Sequence, residues 1–256
     1  MLIATFNVNS IRQRIRHVHR FLERHKPDVL FLQELKCKTE EFPGLELAEL
    51  GYRVHAIGQT GGRNGVAVVA RIPFTVVAEA LPGDPEDSQA RYIEIAVQGM
   101  HLGGLYLPNG NSGGDEGYGY KLRWMERLRL LARARLLADQ PFALLGDFNV
   151  CPTDADLTPG VLKPTDALIR AETRAAWRAL VHLGLTDALL ATHPVAPPWT
   201  YWDYGSAFDT NRGLRIDHGL LSADLAERLM SAEVDTKARS EEQPSDHAPV
   251  IFGLRD

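Results

Sequence analysis

Several polar side chains stand where apolar runs stop. Val29-Leu30-Phe31-Leu32-Gln33 is followed by Glu34, and Ala143-Leu144-Leu145-Gly146 by Asp147-Phe148-Asn149. Strand alternation predicts Asp147 and Asn149 on one face. Asp217 sits inside the apolar stretch that runs from Ile216 to Leu221, and Asp246-His247 comes just before the run Val250–Leu254. Unpaired charge is costly to bury, so such groups are paired, metal-bound or catalytic. A single acid at a strand end is usually a turn or a cap. The set carries more weight: Asn7, Glu34, Asp147, Asn149 and Asp246 all offer oxygen at strand ends. Hard oxygen donors suit Mg²⁺ or Mn²⁺. No Cys/His pair has zinc spacing. A catalytic His247 needs an orienting carboxylate, and Asp217 is the candidate. Asp28 reads as a structural acid, Asp154 and Asp156 as solvated, and His193 as a loop histidine.

The elements that must position these groups are short and interleaved. Strands are expected at Leu2–Val8, Val29–Gln33, Gly65–Ala70, Thr75–Ala78, Arg91–Val97, Phe142–Gly146 and Val250–Leu254. Ser10 and Gln13 suggest a capping box before Ile11, Ile15, Val18 and Leu22, a helix closed by Pro27. Further helices are expected over Lys121–Asp139 and over Arg170–Leu183, the latter stopped by Gly184. The segments 81–88 and 108–117 read as loops. Many short strands between helices predict two face-to-face sheets with helices outside. Phe6-Asn7-Val8 and Phe148-Asn149-Val150 echo one another, too briefly to define a repeat.

Composition excludes other classes. The 256 residues are 45% hydrophobic and 24% charged, which rules out disorder, coiled coil and collagen. No apolar run approaches the ~20 residues of a membrane span. The N-terminus lacks the features of a signal peptide. Cys37 and Cys151 cannot form a disulfide framework and fit a reduced, cytoplasmic protein. One domain over residues 1–256 and a monomer are expected.

Taken in order, Phe6-Asn7-Val8-Asn9-Ser10, Leu32-Gln33-Glu34-Leu35-Lys36, Asn64-Gly65-Val66-Ala67, Leu105-Tyr106-Leu107-Pro108-Asn109-Gly110, Gly146-Asp147-Phe148-Asn149, Gly213-Leu214-Arg215-Ile216-Asp217-His218 and Ser245-Asp246-His247-Ala248-Pro249-Val250 resemble the exodeoxyribonuclease III family of Mg²⁺-dependent DNA repair nucleases, across the whole chain. The resemblance implies an α/β fold, a DNase I-like four-layer α/β sandwich of two packed mixed β-sheets flanked by helices. It implies Glu34 and Asp246 as metal carboxylates with Asn7 beside them, and Asp147, helped by Asn149, as the acid that handles the attacking water. Asp147, Asn149 and His247 are further candidate metal ligands. Tyr106 and His247 would act at the phosphate, with Asp217 orienting His247. Mg²⁺ is the implied cofactor, with Mn²⁺ as an alternative. The implied substrate is double-stranded DNA, cut 5′ of abasic sites or trimmed and unblocked at 3′ ends.

A net charge of −5 requires positive charge to be concentrated for DNA binding. Arg12, Arg16, Arg20 and Arg24 on the first helix, Lys121, Arg123 and Arg127 on the long helix, and Arg212 and Arg215 are the candidates, the last pair the strongest. Asn64 and Asn109 join them as nucleic-acid contacts. By the resemblance, Tyr201, Trp202, Leu214 and Ile216 line the pocket for an extruded abasic sugar, while Gly205 stands where many relatives carry Arg. Rival readings are a same-fold enzyme acting on RNA or a small phosphoester, and a silent nucleic-acid-binding relative. The intact acidic set argues against the second.

Overall fold

The computed structural model describes residues 1–255. In chain order the elements are β1 (Leu2–Asn7), α1 (Ile11–His25), β2 (Val29–Gln33), α2 (Gly44–Glu49), β3 (Arg53–Ile57), β4 (Val66–Ala70), β5 (Thr75–Ala78), β6 (Tyr92–Val97), β7 (Met100–Tyr106), α3 (Gly114–Leu137), β8 (Phe142–Asp147), α4 (Ala171–Val181), β9 (Thr186–Asp187), α5 (Ala188–Thr192), β10 (Asp217–Leu221), α6 (Ala223–Glu227), β11 (Leu229–Val234) and β12 (Val250–Leu254).

The strands form two six-stranded sheets, ordered β11-β12-β1-β2-β4-β3 and β5-β6-β7-β8-β10-β9. Read in opposite directions, the two have the same plan. Each has one central parallel pair, β1 with β2 and β7 with β8, and its other pairs are antiparallel. The Phe-Asn-Val echo therefore falls at the carboxyl ends of equivalent strands, β1 and β8.

Alternation builds three apolar layers from these strands. Ile3, Val29, Phe31 and Val68 meet Ile95, Leu102, Ala143 and Leu145 between the sheets. Ala4, Leu30 and Leu32 face the other way, onto Val18, Phe21 and Leu22 of α1. Tyr92, Leu105 and Leu144 pack on Trp124, Met125 and Leu128 of α3 and Trp177 of α4. The result is the expected four layers.

Five strands beyond the expected set are present: β3, β7, β9, β10 and β11. β7 is masked in the sequence by Gly103-Gly104, which looks like a breaker. Its glycines serve close packing: a Cβ on Gly104 would lie 2.1 Å from Cδ1 of Phe31 on the opposite sheet. The long helix begins at Gly114, inside the stretch expected to be loop, because Gly113 can take a φ of 82° and turn the chain into it. The capping box before α1 does not form. Ser10 makes no side-chain cap, and the N–H groups of Ser10 and Ile11 instead donate to the carbonyls of Glu34 and Leu35 at 2.8 and 3.1 Å.

Candidate active site

Parallel central strands bring their carboxyl ends to one edge of each sheet. β1 ends at Asn7, β2 at Gln33 before Glu34, β7 at Tyr106 and β8 at Asp147. The antiparallel neighbours β10 and β12 begin at the same edge, at Asp217 and just after His247. The topology therefore gathers residues separated by up to 240 positions into one cluster.

Asn7 Nδ2 donates to Glu34 Oε1 and to Asp147 Oδ2, both at 2.9 Å. Its own Oδ1 accepts from the N–H of Asn9 at 3.0 Å. His247 Nδ1 meets Asp217 Oδ2 at 2.8 Å, and its Nε2 lies 3.7 Å from Asp147 Oδ2. Asp147 and Asn149 do converge, but not by strand alternation. β8 stops at Asp147, and Asn149 takes a left-handed φ of 49°. That turn lets its N–H donate to Asp147 Oδ1 at 2.9 Å and its Nδ2 donate to Leu107 O at 2.9 Å. Glu34 (52°), Asn9 (42°) and Ser10 (93°) also have positive φ. Such conformations cost on the order of 1–3 kcal/mol each and persist only where the surroundings enforce them.

The electrostatics follow from burial. Burial opposes the charged form of His247, but Asp217 and Asp147 overcome it and raise the imidazole to about 10. Burial pushes the Asp147 carboxyl up to about 7, with Asp217 and Glu34 adding to the rise and His247 opposing it. Burial works against ionised Glu34, yet Lys36 at 2.9 Å and the Asn7 amide hold its carboxyl below the usual range. Burial, with Glu34 and Asp147 nearby, keeps the Tyr106 phenol protonated far above neutral pH. Glu34, Asp147 and His247 present ligand atoms within 4.8 Å of one another. A protonated imidazole has no lone pair for a metal, so the carboxylate oxygens are the fitting donors, and they match a hard divalent ion.

These groups line a cavity of about 280 Å³. Tyr201, Leu214, Ile216, Val161, Leu162 and Leu168 form its apolar side, and Asn109, Asn111 and Asp166 its polar rim. The Tyr201 ring stands edge-on to His247 at 4.9 Å. Asp246 also lines the cavity and accepts from Asn9 Nδ2 at 3.0 Å. Val161, Leu162, Leu168 and Asn111 belong to segments that carry no sequence signal of their own.

Several expected DNA contacts are corrected. Lys121 is fully buried, and its Nζ donates to the carbonyls of Asn149 and Asn109 at 2.6 and 3.0 Å. Burial brings its ammonium down to about 7. Arg215 is buried and pairs with Asp156 at 2.7 Å and Asp187 at 2.5 Å, so it cannot meet a phosphate. Asp156 is correspondingly buried, not solvated. Asn64 is 6% exposed, its amide spent on Gln59 and Gln89. Trp202 is buried, with Nε1 donating to Asn211 at 3.3 Å. Arg20 and Arg24 of α1 pair with Glu241 and Asp235. On α3, Arg123 pairs with Glu116 and Arg127 with Asp87. Arg212 stays exposed beside Tyr204 and Asp203 at a cavity of about 210 Å³. As expected, Asp28 is structural, accepting from Leu2 N–H and Arg71.

Two six-stranded mixed sheets between helices, with a carboxylate and histidine cluster at their common edge, define a DNase I-like fold of the hydrolase type. The profile of the endonuclease/exonuclease/phosphatase family matches residues 4–247, and the chain belongs to that family. It is 33% identical to exodeoxyribonuclease III of Haemophilus influenzae over 264 residues, covering 98% of each protein. Among solved structures, the 3′-5′ exonuclease NExo from Neisseria meningitidis is 36% identical with a TM-score of 0.95, over 100% of both chains. An AP endonuclease from Archaeoglobus fulgidus is 33% identical with a TM-score of 0.93, again over 100% of both. The family depends on divalent metal, and Glu34, Asp147 and His247 form a group that could hold one.

Proposed function

We propose that this protein is a Mg²⁺-dependent DNA repair phosphodiesterase that cleaves 5′ of abasic sites in duplex DNA and trims or unblocks 3′ ends. The observation that carries the reading is the convergence of buried Asp147, the Asp217–His247 pair and Glu34 under one cavity. Exonuclease and AP endonuclease relatives that match over the full chain support the substrate.

Asp147 takes a proton from a water molecule placed in line with the scissile bond. Asn149 fixes that carboxylate through its N–H. His247, kept charged by Asp217, donates from Nε2 toward the phosphoryl oxygen on which negative charge builds. Tyr106, kept protonated, adds a second donor at the same phosphate. Glu34 and Asp246 would hold Mg²⁺, or Mn²⁺, with Asn7 at their side. A divalent ion bound there supplies positive charge to the phosphoryl oxygens. Tyr201, Leu214 and Ile216 suit an extruded sugar. Extrusion costs a few kcal/mol, least where no base is stacked, which favours abasic sites. Asn109 and Arg212 would meet the flanking backbone.

The chain is proposed to act as one domain over residues 1–256, as a monomer, in the cytoplasm, where free Cys37 and Cys151 stay reduced. The test is a 5′-labelled duplex with one abasic-site analogue, incubated with Mg²⁺, with EDTA, and with Asp147→Asn. The expected result is a band at the lesion, or a 3′→5′ ladder, only with Mg²⁺ and wild-type protein. No cleavage by the folded wild type overturns the reading.

A further inference from the structure

Arg14 lies on the face of α1 that packs inward, between Ile11 and Val18, and is 8% exposed. Among the described residues no carboxylate pairs with it. Its guanidinium instead reaches three separate segments. Nε donates to Gln243 O at 3.3 Å, Nη2 to Pro244 O at 3.2 Å and to the Tyr204 hydroxyl at 3.1 Å, and Nη1 to Asn9 O. Nη1 also donates to Gln13 Oε1 at 2.8 Å.

Each segment leads into the site. Asn9 follows Asn7 on the β1–α1 turn. Pro244 lies two residues before Asp246. Tyr204 is 49% exposed, and its hydroxyl accepts from Asn9 Nδ2 at 2.8 Å. That same Nδ2 donates to Asp246 Oδ1 at 3.0 Å. The segment of Asp246 and His247 comes from the far end of the chain and is tied here to the half of the site built by Asn7 and Glu34. Ser245 adds a second tie, its hydroxyl donating to Asn7 O at 2.7 Å. A planar fork with five N–H groups holds these five acceptors at fixed angles, whereas an ammonium has only three N–H groups and no fixed plane.

We infer that Arg14 is a positioning residue that sets Asp246 against Asn7 and Glu34, and so fixes the spacing of the metal carboxylates. The inference rests on the proposed metal site. Groups that orient metal ligands through hydrogen bonds typically change metal affinity about 10–100-fold when lost. Arg24 makes a useful contrast: it grips Asp235 and Glu241, upstream of Gln243 and Pro244, but touches none of the three segments at the site.

The experiment measures Mn²⁺ binding to full-length protein without DNA, through the loss of the free-ion EPR signal, alongside thermal unfolding. Arg14→Lys is expected to raise the Mn²⁺ Kd about tenfold or more. Tyr204→Phe, at an exposed position that keeps the fold, shifts it the same way by a few-fold. Arg24→Gln lowers the unfolding temperature and leaves the Mn²⁺ Kd unchanged. Wild-type affinity in both site variants, or equal weakening in Arg24→Gln, overturns the role of Arg14. Absence of Mn²⁺ binding by the wild type removes the metal site itself, a distinct outcome that takes the role of Arg14 with it.

Discussion

Asp217→Asn isolates the orienting of His247. The carboxylate accepts the Nδ1 hydrogen at 2.8 Å, 1% exposed, and its other oxygen has no hydrogen-bond partner. The amide is nearly isosteric, so the fold should survive. Burial disfavours the imidazolium, and Asp217 is the largest influence opposing it. Without its charge the imidazolium of His247 loses its largest support, and the hydrogen bond it donates to the phosphate loses charge assistance to the extent that the ring becomes neutral. A bond to a charged group is worth about 1.5–3 kcal/mol, which corresponds to roughly 10–150-fold in rate. The amide can also present its NH₂ to Nδ1 and select the wrong tautomer, which costs about 10⁴ in a serine protease triad. We therefore expect kcat to fall between about 10² and 10⁴-fold, with little change in duplex affinity. Single-turnover cleavage of an abasic duplex under saturating protein gives the rate, and gel shift with EDTA gives the affinity. A rate within a few-fold of wild type would refute the orienting role.

Three further outcomes follow from packing and charge. Arg215→Met strands Asp156 and Asp187 and should cost on the order of 3–5 kcal/mol in urea unfolding at pH 7; a change under 1 kcal/mol would be incompatible with the buried triad. Although burial alone would raise it, the His218 ring and Arg215 hold the Asp187 carboxyl well below its usual range. Its stabilisation is thus complete above the unfolded value of about 3.9 and is lost as pH falls further, so wild-type unfolding should show that acid loss and Arg215→Met a smaller one, with the His218 contact retained. Gly104→Ala drives a methyl into Phe31 between the sheets and should destabilise by roughly 1–3 kcal/mol or more; an unchanged melting temperature would contradict the close approach. Arg212→Ala should weaken duplex binding and reduce the slope of log K against log salt by about 1, and an unaltered slope would remove Arg212 from the phosphate contacts.

Most of the site is legible in the sequence, because unsatisfied polar groups at the ends of apolar strands are rare without a reason. Glu34, Asp147 and Asp246 stand out on that ground alone, and the parallel central pairs explain why strand ends meet. What misleads is charge without burial. Arg215 stands two residues before Asp217 in sequence, but it lies outside β10 and its guanidinium is spent on the buried carboxylates of Asp156 and Asp187. Lys121 looks like a phosphate ligand until Gly110, whose Cβ would lie 2.7 Å from Lys121 Cδ, makes room for it to be buried. Arg20 and Arg24 of the α1 stripe serve the 235–241 segment, a contact between residues more than 200 positions apart that no local pattern reveals. Arg14 did carry a signal: helical spacing places it with Ile11 and Val18 on the apolar face. β7 was hidden by a glycine pair whose purpose appears only once the opposite sheet is in place.

The central claim is direct attack of water, activated by Asp147, on phosphorus. Its most direct test is cleavage of a duplex with a phosphorothioate of defined chirality at the scissile position, in isotopically labelled water, followed by assignment of the product's configuration. A single in-line displacement predicts inversion. Retention would contradict the account, because it requires a covalent enzyme intermediate for which Asp147 has no role as base.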